Sequence, residues 1–399
     1  MNGKTIYLDN AATTKMSKTA INAMTPYFDS IYGNPSSLHS VGQKAAEALF
    51  DARERIAKCI GAAAREITFT SGGSEADNQA IVSAAKNGER KGKKHIISTA
   101  IEHHAVLHTL KKLEKEGFEI TLLDVGEYGI VKPEQVKQAI RDDTCLVTVM
   151  FANNEIGTIQ PIKEIGAICR EAGVPFHTDA VQAAGHIRVD VADQNIDMLS
   201  VSAHKFHGPK GIGFLYAKNG TRLSNIIEGG AQERGKRAGT ENIPAIMGMA
   251  AALEEACAKI DVNAAKLISM RDKLINELSK IPHSILNGDK NSRLPGNVNF
   301  CFEGIEGESL LLLLDDKGVC ASSGSACTSG SLDPSHVLLA IGRPHEIAHG
   351  SLRLSLSEDN TDEEIDYTVK AVGEVVEYLR NMSPVWRDLV SGKRDYIIK

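Results

Sequence analysis

The chain has 399 residues, 42% apolar and 24% charged, an ordinary composition for a soluble globular protein but too long for one compact core, so two domains are expected. A formal charge of −6 argues against a nucleic-acid binder, which needs a net basic face. The opening "MNGKTIYLDN" lacks the apolar core of a signal peptide, and the longest apolar run, "LLLLL" at 310–314, falls far short of a membrane span; a cytoplasmic chain with no membrane partner is expected.

In chain order, seven apolar, β-rich runs are candidate strands: "EITFT" (66–70), "HIIS" (95–98), "ITLLD" (120–124), "CLVTVMF" (145–151), "VPFHTD" (174–179), "DMLSVS" (197–202) and "IGFLYA" (212–217). They do not alternate strictly, as befits strands covered on both faces. Amphipathic stretches such as "IKEIGAICREAG" lie between several of them, a rhythm that predicts a mostly parallel sheet wrapped by helices. Beyond about residue 250 a long helical stretch, "MAAALEEACAKIDVNAAKLISMRDKLINELSKI", runs up to Pro282. A smaller α+β segment follows, with "NVNFCF" and "SLRLSLS" as strands and "TDEEIDYTVKAVGEVVEYLRNM" as a late helix.

Ligands of open α/β sheets bind beyond the carboxyl ends of the strands, so the residues after each run carry the information. After "EITFT", Gly72 and Gly73 permit a tight turn and Ser74 is placed to cap a helix, whose free N–H groups can hold an anion. After "HIIS" come His103 and His104; after "CLVTVMF", Asn153 and Asn154, either ligands or turn formers. Asp179 closes "VPFHTD" and needs a cationic partner if buried, or serves as a cap; Gln182 follows it. After "DMLSVS", Ser202, His204 and Lys205 lead into the glycine turns of "GPKGIG". A lysine drawn into a desolvated site can form a Schiff base, whereas most lysines are simply solvated. Together these residues fall on one edge of one sheet. An anion site at a helix terminus, an acid and a strand-end lysine are what pyridoxal 5′-phosphate needs.

The seven cysteines are scattered, with no CxxC pair, which fits neither a disulfide framework nor a zinc site. Six lie in core-like contexts. Cys327, in "SSGSACTSG" (322–330), has only small and polar neighbours.

These motifs resemble the cysteine desulfurases of the NifS/IscS branch, pyridoxal-phosphate enzymes with the aminotransferase-like type I fold. The likeness runs from "YLDNAATT" (7–14) and "GNPSSLHS" (33–40) to "SPVW" (383–386), with "TSGGSEADN", "IEHHAVL", "ANNEIGT", "HTDAVQAAG", "SAHKFHGPKGIG", "RAGTEN" and "SSGSACTSG" in family order. It implies an α/β fold with a large, mostly parallel-sheet cofactor domain (15–261). A small α+β domain (1–14 and 262–399) would carry a mobile nucleophile loop at about 320–332.

The resemblance further implies that Lys205 binds the cofactor, Asp179 pairs with its ring nitrogen, and His103 stacks on the ring and assists proton transfer. Asn154 and Gln182 would contact the ring; Gly73, Ser74, Ser202 and His204 would form the phosphate cup. Thr240 would reach the phosphate of a partner subunit in a homodimer, and Arg353, with Asn154, would hold the substrate carboxylate. Cys327 would be the nucleophile that takes sulfur from L-cysteine, leaving L-alanine, with His103 as its base. The persulfide would then serve an iron–sulfur scaffold or another acceptor protein, Cys327 at most sharing a cluster transiently. A selenocysteine lyase or an aminotransferase on the same fold is the alternative.

Overall fold

The computed structural model describes residues 5–323 and 334–398; Cys327 and most of its motif lie outside the described residues. The twelve strands among the described residues form three sheets. Seven of them, β2 to β8, build the large sheet: β2 (Ile67–Thr70), β3 (His95–Thr99), β4 (Glu119–Leu123), β5 (Thr144–Thr148), β6 (Phe176–Asp179), β7 (Met198–Ser202) and β8 (Gly213–Ala217). Their order is β2-β8-β7-β6-β5-β3-β4, parallel except for β8, which runs antiparallel to both neighbours. Every expected strand of the sheet is present, with β5 ending three residues earlier than its apolar run because the chain leaves the sheet after Thr148.

Alternate residues explain why these runs read as continuously apolar. Val147, Leu199, Val201 and Phe214 enter one core with helices Ser40–Cys59, Ile162–Ala172 and the start of Ile243–Leu278. Leu146, Met198 and Leu215 enter another, on the side of helices Gly73–Glu89 and His104–Lys115. Burial on both faces removes the period-two signal.

The long helix is one uninterrupted element, Ile243–Leu278, opened by the Asn242 side chain as its N-cap and by Pro244 in its first turn. Met247–Leu253 lie in the first core, whereas Leu267, Met270 and Leu274 belong to a further core. That core is shared with Ile6, Leu8, Phe300, Phe302 and Val372. Its sheet is β9 (Ser284–Leu286), β10 (Asn297–Phe302) and β12 (Ser351–Ser355), antiparallel in the order β12-β10-β9. The N-terminal β1 (Ile6–Tyr7) pairs in parallel with β11 (Val319–Cys320). Residues 320–323, placed at the start of the expected mobile loop, are therefore tied down: Ser322 bridges Arg353, and Ser323 accepts a hydrogen bond from Ser351 Oγ at 2.9 Å.

The late helix spans Asp362–Met382 behind a Thr361/Glu364 capping box. The C-terminal tail then folds back: Glu303 accepts hydrogen bonds from the backbone N–H groups of Ile397 and Ile398, and Tyr396 stacks on His283 at 3.7 Å. The six described cysteines divide evenly. Cys145, Cys169 and Cys301 are buried, Cys59 and Cys257 are half-buried and pack against the large-sheet core, and Cys320 is half-buried on β11.

Candidate active site

The carboxyl ends of β2, β3, β5, β6 and β7 share one sheet edge. The helix after β2 is capped by Gly72 rather than Ser74, which is its second residue. Gly72 has φ 150°, a value L side chains rarely adopt. A Cβ on Gly73 would lie 2.6 Å from Val181 Cγ2, and one on Gly213 only 2.8 Å from Gly72 Cα. Glycines there let the helix N-terminus meet β8 and Ser202 as bare backbone, with its first N–H groups lacking intrahelical acceptors. Ser71 N–H and the Arg237 guanidinium both bond Glu75, at 2.8 Å each, anchoring the segment that carries Thr240. Thr240 is exposed and lines a cleft with Ser71, Gly211 and Asn242, separate from the other site residues.

Lys205 closes a single 3-10 turn after β7. Its Nζ donates to Ala11 O at 2.6 Å and Ala12 O at 2.8 Å. Gln182 Nε2 donates to the same Ala11 O at 3.0 Å, and His204 Nδ1 lies 3.2 Å from Thr13 Oγ1. The "DNAATT" segment thus lies across the lysine and holds it at the sheet edge. Asp179 ends β6, where its Oδ1 accepts from Val181 N–H at 2.9 Å. Burial pushes its pKa up to about 6, against the lowering pull of that hydrogen bond and of Lys205. A carboxylate held there favours a cationic partner.

His103 is the N-cap of His104–Lys115, and its Nδ1 accepts Ala105 N–H at 3.1 Å. The neutral ring therefore carries its proton on Nε2. Burial, then Lys205, lowers its pKa to about 4, so it is neutral at pH 7. In that tautomer Nε2 is a donor, while Nδ1 is engaged by the backbone.

The asparagine pair separates. Asn153 is a buried turn former whose Oδ1 accepts Glu155 and Ile156 N–H, both at 2.9 Å, while Asn154 is half-buried. Arg353 is buried on β12; its Nη2 lies 2.8 Å from Asp9 Oδ1, and its Nη1 donates to Asn154 O at 3.3 Å. Its buried Nε finds no acceptor among the described residues. The expected substrate anchor is thus already part of an ion pair, with one donor left over.

Sequence reading missed a layer of buried polar groups beneath this edge. Asp77, on the helix after β2, lies 3.7 Å from His177 Nε2; burial and neighbouring Asp179 raise its pKa. His177 bridges Thr148 and Ser200 across the sheet at 2.8 and 2.9 Å. Glu155, raised to about 7 by burial, accepts a short hydrogen bond from Ser335 Oγ, which also caps the helix that follows the undescribed segment. An acid inside an apolar run would have been the signal, but Asp77 in "SEADNQ" and Glu155 in "ANNEIGT" have polar neighbours and do not show it.

Glu102, beside His103, accepts Thr99 Oγ1 at 2.8 Å and Met150 N–H at 3.0 Å, both on Oε1. Full burial raises it from 4.5 to about 8. The folded state therefore binds this proton more tightly than the unfolded chain. The resulting stabilisation is complete below about pH 4.5 and is lost as pH rises through about 8. Urea unfolding from pH 5 to 8.5 should show Glu102→Gln losing less stability than the parent, by roughly 2–4 kcal/mol. Parallel pH profiles for the two proteins would refute the assignment.

A helix terminus for an anion, a buried carboxylate for a ring nitrogen and a strand-end lysine now stand together, and these residues fit pyridoxal phosphate. The chain belongs to the aminotransferase class-V family, whose model matches residues 6–368. Among its relatives, the cysteine desulfurase IscS of Clostridium botulinum is 55% identical over 395 residues, covering 98% of this chain and 99% of that one. A solved NifS-like protein matches with a TM-score of 0.88 at 37% identity, over 94% of this chain and 100% of its own. The structure of SspA in complex with cysteine matches with a TM-score of 0.78 at 38% identity, over 90% of this chain and 100% of its own.

Proposed function

We propose that this chain is a cysteine desulfurase that converts L-cysteine to L-alanine and holds the released sulfur as a persulfide on Cys327. The single observation that carries the reading is the meeting of Lys205, Asp179 and the Gly72–Ser74 helix start at one sheet edge, in a chain whose relatives of this name match end to end. Class-V aminotransferases and cysteine desulfurases are pyridoxal-phosphate enzymes. That cofactor, when bound, supplies an electron sink for the pair left when the substrate Cα loses its proton.

The chain's own residues do the rest. Asp179 would hold the ring nitrogen, and the amides of Gly73 and Ser74, with Ser202 and His204, would hold the phosphate. Lys205 Nζ would carry the cofactor and move the Cα proton. Asn154 and Gln182 would orient the ring, while His103 would stack on it and donate through Nε2. Arg353 would hold the substrate carboxylate. Cys327 Sγ, as thiolate, would form a bond to the substrate sulfur; the C–S bond breaks, its electron pair stays with the carbon, and that carbon takes up a proton to become the alanine methyl group.

Arg353→Lys keeps a charge but loses the planar fork, and Nε has no counterpart in lysine. Its KM for L-cysteine should rise about 10–100-fold with a smaller change in kcat, in line with the strength of charge-assisted hydrogen bonds. A KM like the parent's would remove Arg353 from the substrate site.

The two-domain division at 15–261 is supported by the core around the three-stranded sheet, which draws on Ile6, Leu8 and residues from Leu267 onward, although the large-sheet core also takes in Val337, Leu338 and Ile347. A homodimer is supported by the run of exposed apolar side chains Phe28, Tyr32, Leu38 and Phe50; Leu38 is 94% exposed. In it, Thr240 would complete the partner's phosphate site. The persulfide would pass to an acceptor protein for iron–sulfur assembly in the cytoplasm. Among the described residues no helix is long and apolar enough to cross a membrane.

The test is direct: purified, cofactor-loaded protein is given L-cysteine, alanine is quantified, and persulfide is mapped by mass spectrometry. Alanine with a persulfide on Cys327 is the expected result. A keto acid instead of alanine would point to an aminotransferase and overturn the reading.

A further inference from the structure

Helix Ser40–Cys59 packs along helix Ile243–Leu278. Arg55, one turn before Cys59, is ion-paired at 2.7 Å with Glu254, just before Cys257. That register sets Cys59 and Cys257 side by side, with their thiols in hydrogen-bonding contact. Both are half-exposed, unlike the buried Cys145, Cys169 and Cys301. The backbone at Gly185 closes on the same spot: a Cβ there would lie 3.0 Å from Ala256 Cβ, and Gly185 N–H bonds Cys257. The hydrogen bond from Cys59 lowers the Cys257 pKa, and the same bond, with burial, raises that of Cys59. Cys257 is the sulfur better able to carry negative charge, and Cys59 holds the proton.

We propose that Cys59 and Cys257 form a redox-responsive thiol pair that a peroxide converts into a disulfide between the two helices. The Cys257 thiolate attacks hydrogen peroxide: an S–O bond forms, the O–O bond breaks, and the departing hydroxide takes up a proton as water. Cys59 then attacks the sulfenic sulfur: the S–S bond forms, the S–O bond breaks, and the oxygen leaves as a second water. The two thiols together lose two electrons and two protons, and the peroxide is reduced. The bond joins a helix of the large-sheet core to the middle of the helix that runs on into the second core. By constraining the unfolded chain, it should raise the thermal midpoint of the oxidised protein.

The test uses the cofactor-loaded protein treated with graded hydrogen peroxide, followed by non-reducing peptide mapping. A Cys59–Cys257 cross-linked peptide, lost on treatment with dithiothreitol, is expected. In Cys59→Ser the second step is blocked, so Cys257 should be captured by dimedone several-fold faster than Cys145 or Cys169. In Cys257→Ser the cross-link should vanish. Absence of the cross-link at doses that fully oxidise Cys327 would overturn the proposal. So would dimedone capture of Cys257 no faster than that of the buried cysteines.

Discussion

Lys205→Ala should lower turnover of L-cysteine by about 10³-fold or more, the scale at which a positioned proton-transfer group contributes, with the anchoring of the cofactor lost as well. The lysine stands at the end of β7 on a turn only three residues long, and Ala11 O and Ala12 O hold its Nζ from the N-terminal segment. Alanine leaves those carbonyls without this donor, at a cost of about 1 kcal/mol each, too little to unfold the protein. Lys205→Arg separates charge from chemistry. It can still donate to both carbonyls, but arginine stays protonated and forms no Schiff base, so it too should be inactive. Steady-state alanine formation checks both variants, with circular dichroism confirming the fold. Turnover of either variant within about tenfold of the parent would remove Lys205 from the chemistry.

Cys327→Ala should abolish both persulfide and sustained alanine formation, while the absorbance of the bound cofactor stays as in the parent. No other described cysteine offers a ready substitute. Burial pushes Cys145 and Cys301 up to about 11 and Cys169 to about 12, so all three are thiols rather than thiolates at neutral pH. Cys320 is raised as well, by burial and by Asp315 close to its Sγ. Cys59 and Cys257 are engaged with each other between helices Ser40–Cys59 and Ile243–Leu278. Mass spectrometry of the variant after exposure to L-cysteine decides the matter. Alanine at the parent rate, or a persulfide carried by Cys320, would show that another sulfur is the acceptor.

The architecture was largely readable from local pattern. Each of the seven runs of the large sheet became a strand, and the helix after Thr361 starts at its capping box. The expected cap at Ser74 moved to Gly72, since two glycines in sequence do not reveal which of them takes the positive φ. Asp179, Lys205 and the Gly72–Ser74 turn were legible as candidates because they stand at or just after strand ends, where the fold class dictates that ligands bind, whereas Thr240, Arg353 and Cys327 came from the family resemblance. The buried acids were less so. Glu155 and Asn154 stand in the same short motif, and nothing in that motif says that one faces the interior while its neighbour is half-exposed.

What the sequence determined by itself is therefore short-range: apolar periodicity set the strands and helices, and polar residues at strand ends marked one edge as the working face. What the tertiary structure decided is long-range pairing. Arg353 meets Asp9 across 344 residues of chain, Ser335 meets Glu155 across 180, and Lys205 meets Ala11 across 194. Such contacts set which donor is spent and which is left, which nitrogen of His103 holds a proton, and which carboxylates stay protonated. These properties depend on distance and dielectric around each group, and neither exists until the chain has folded.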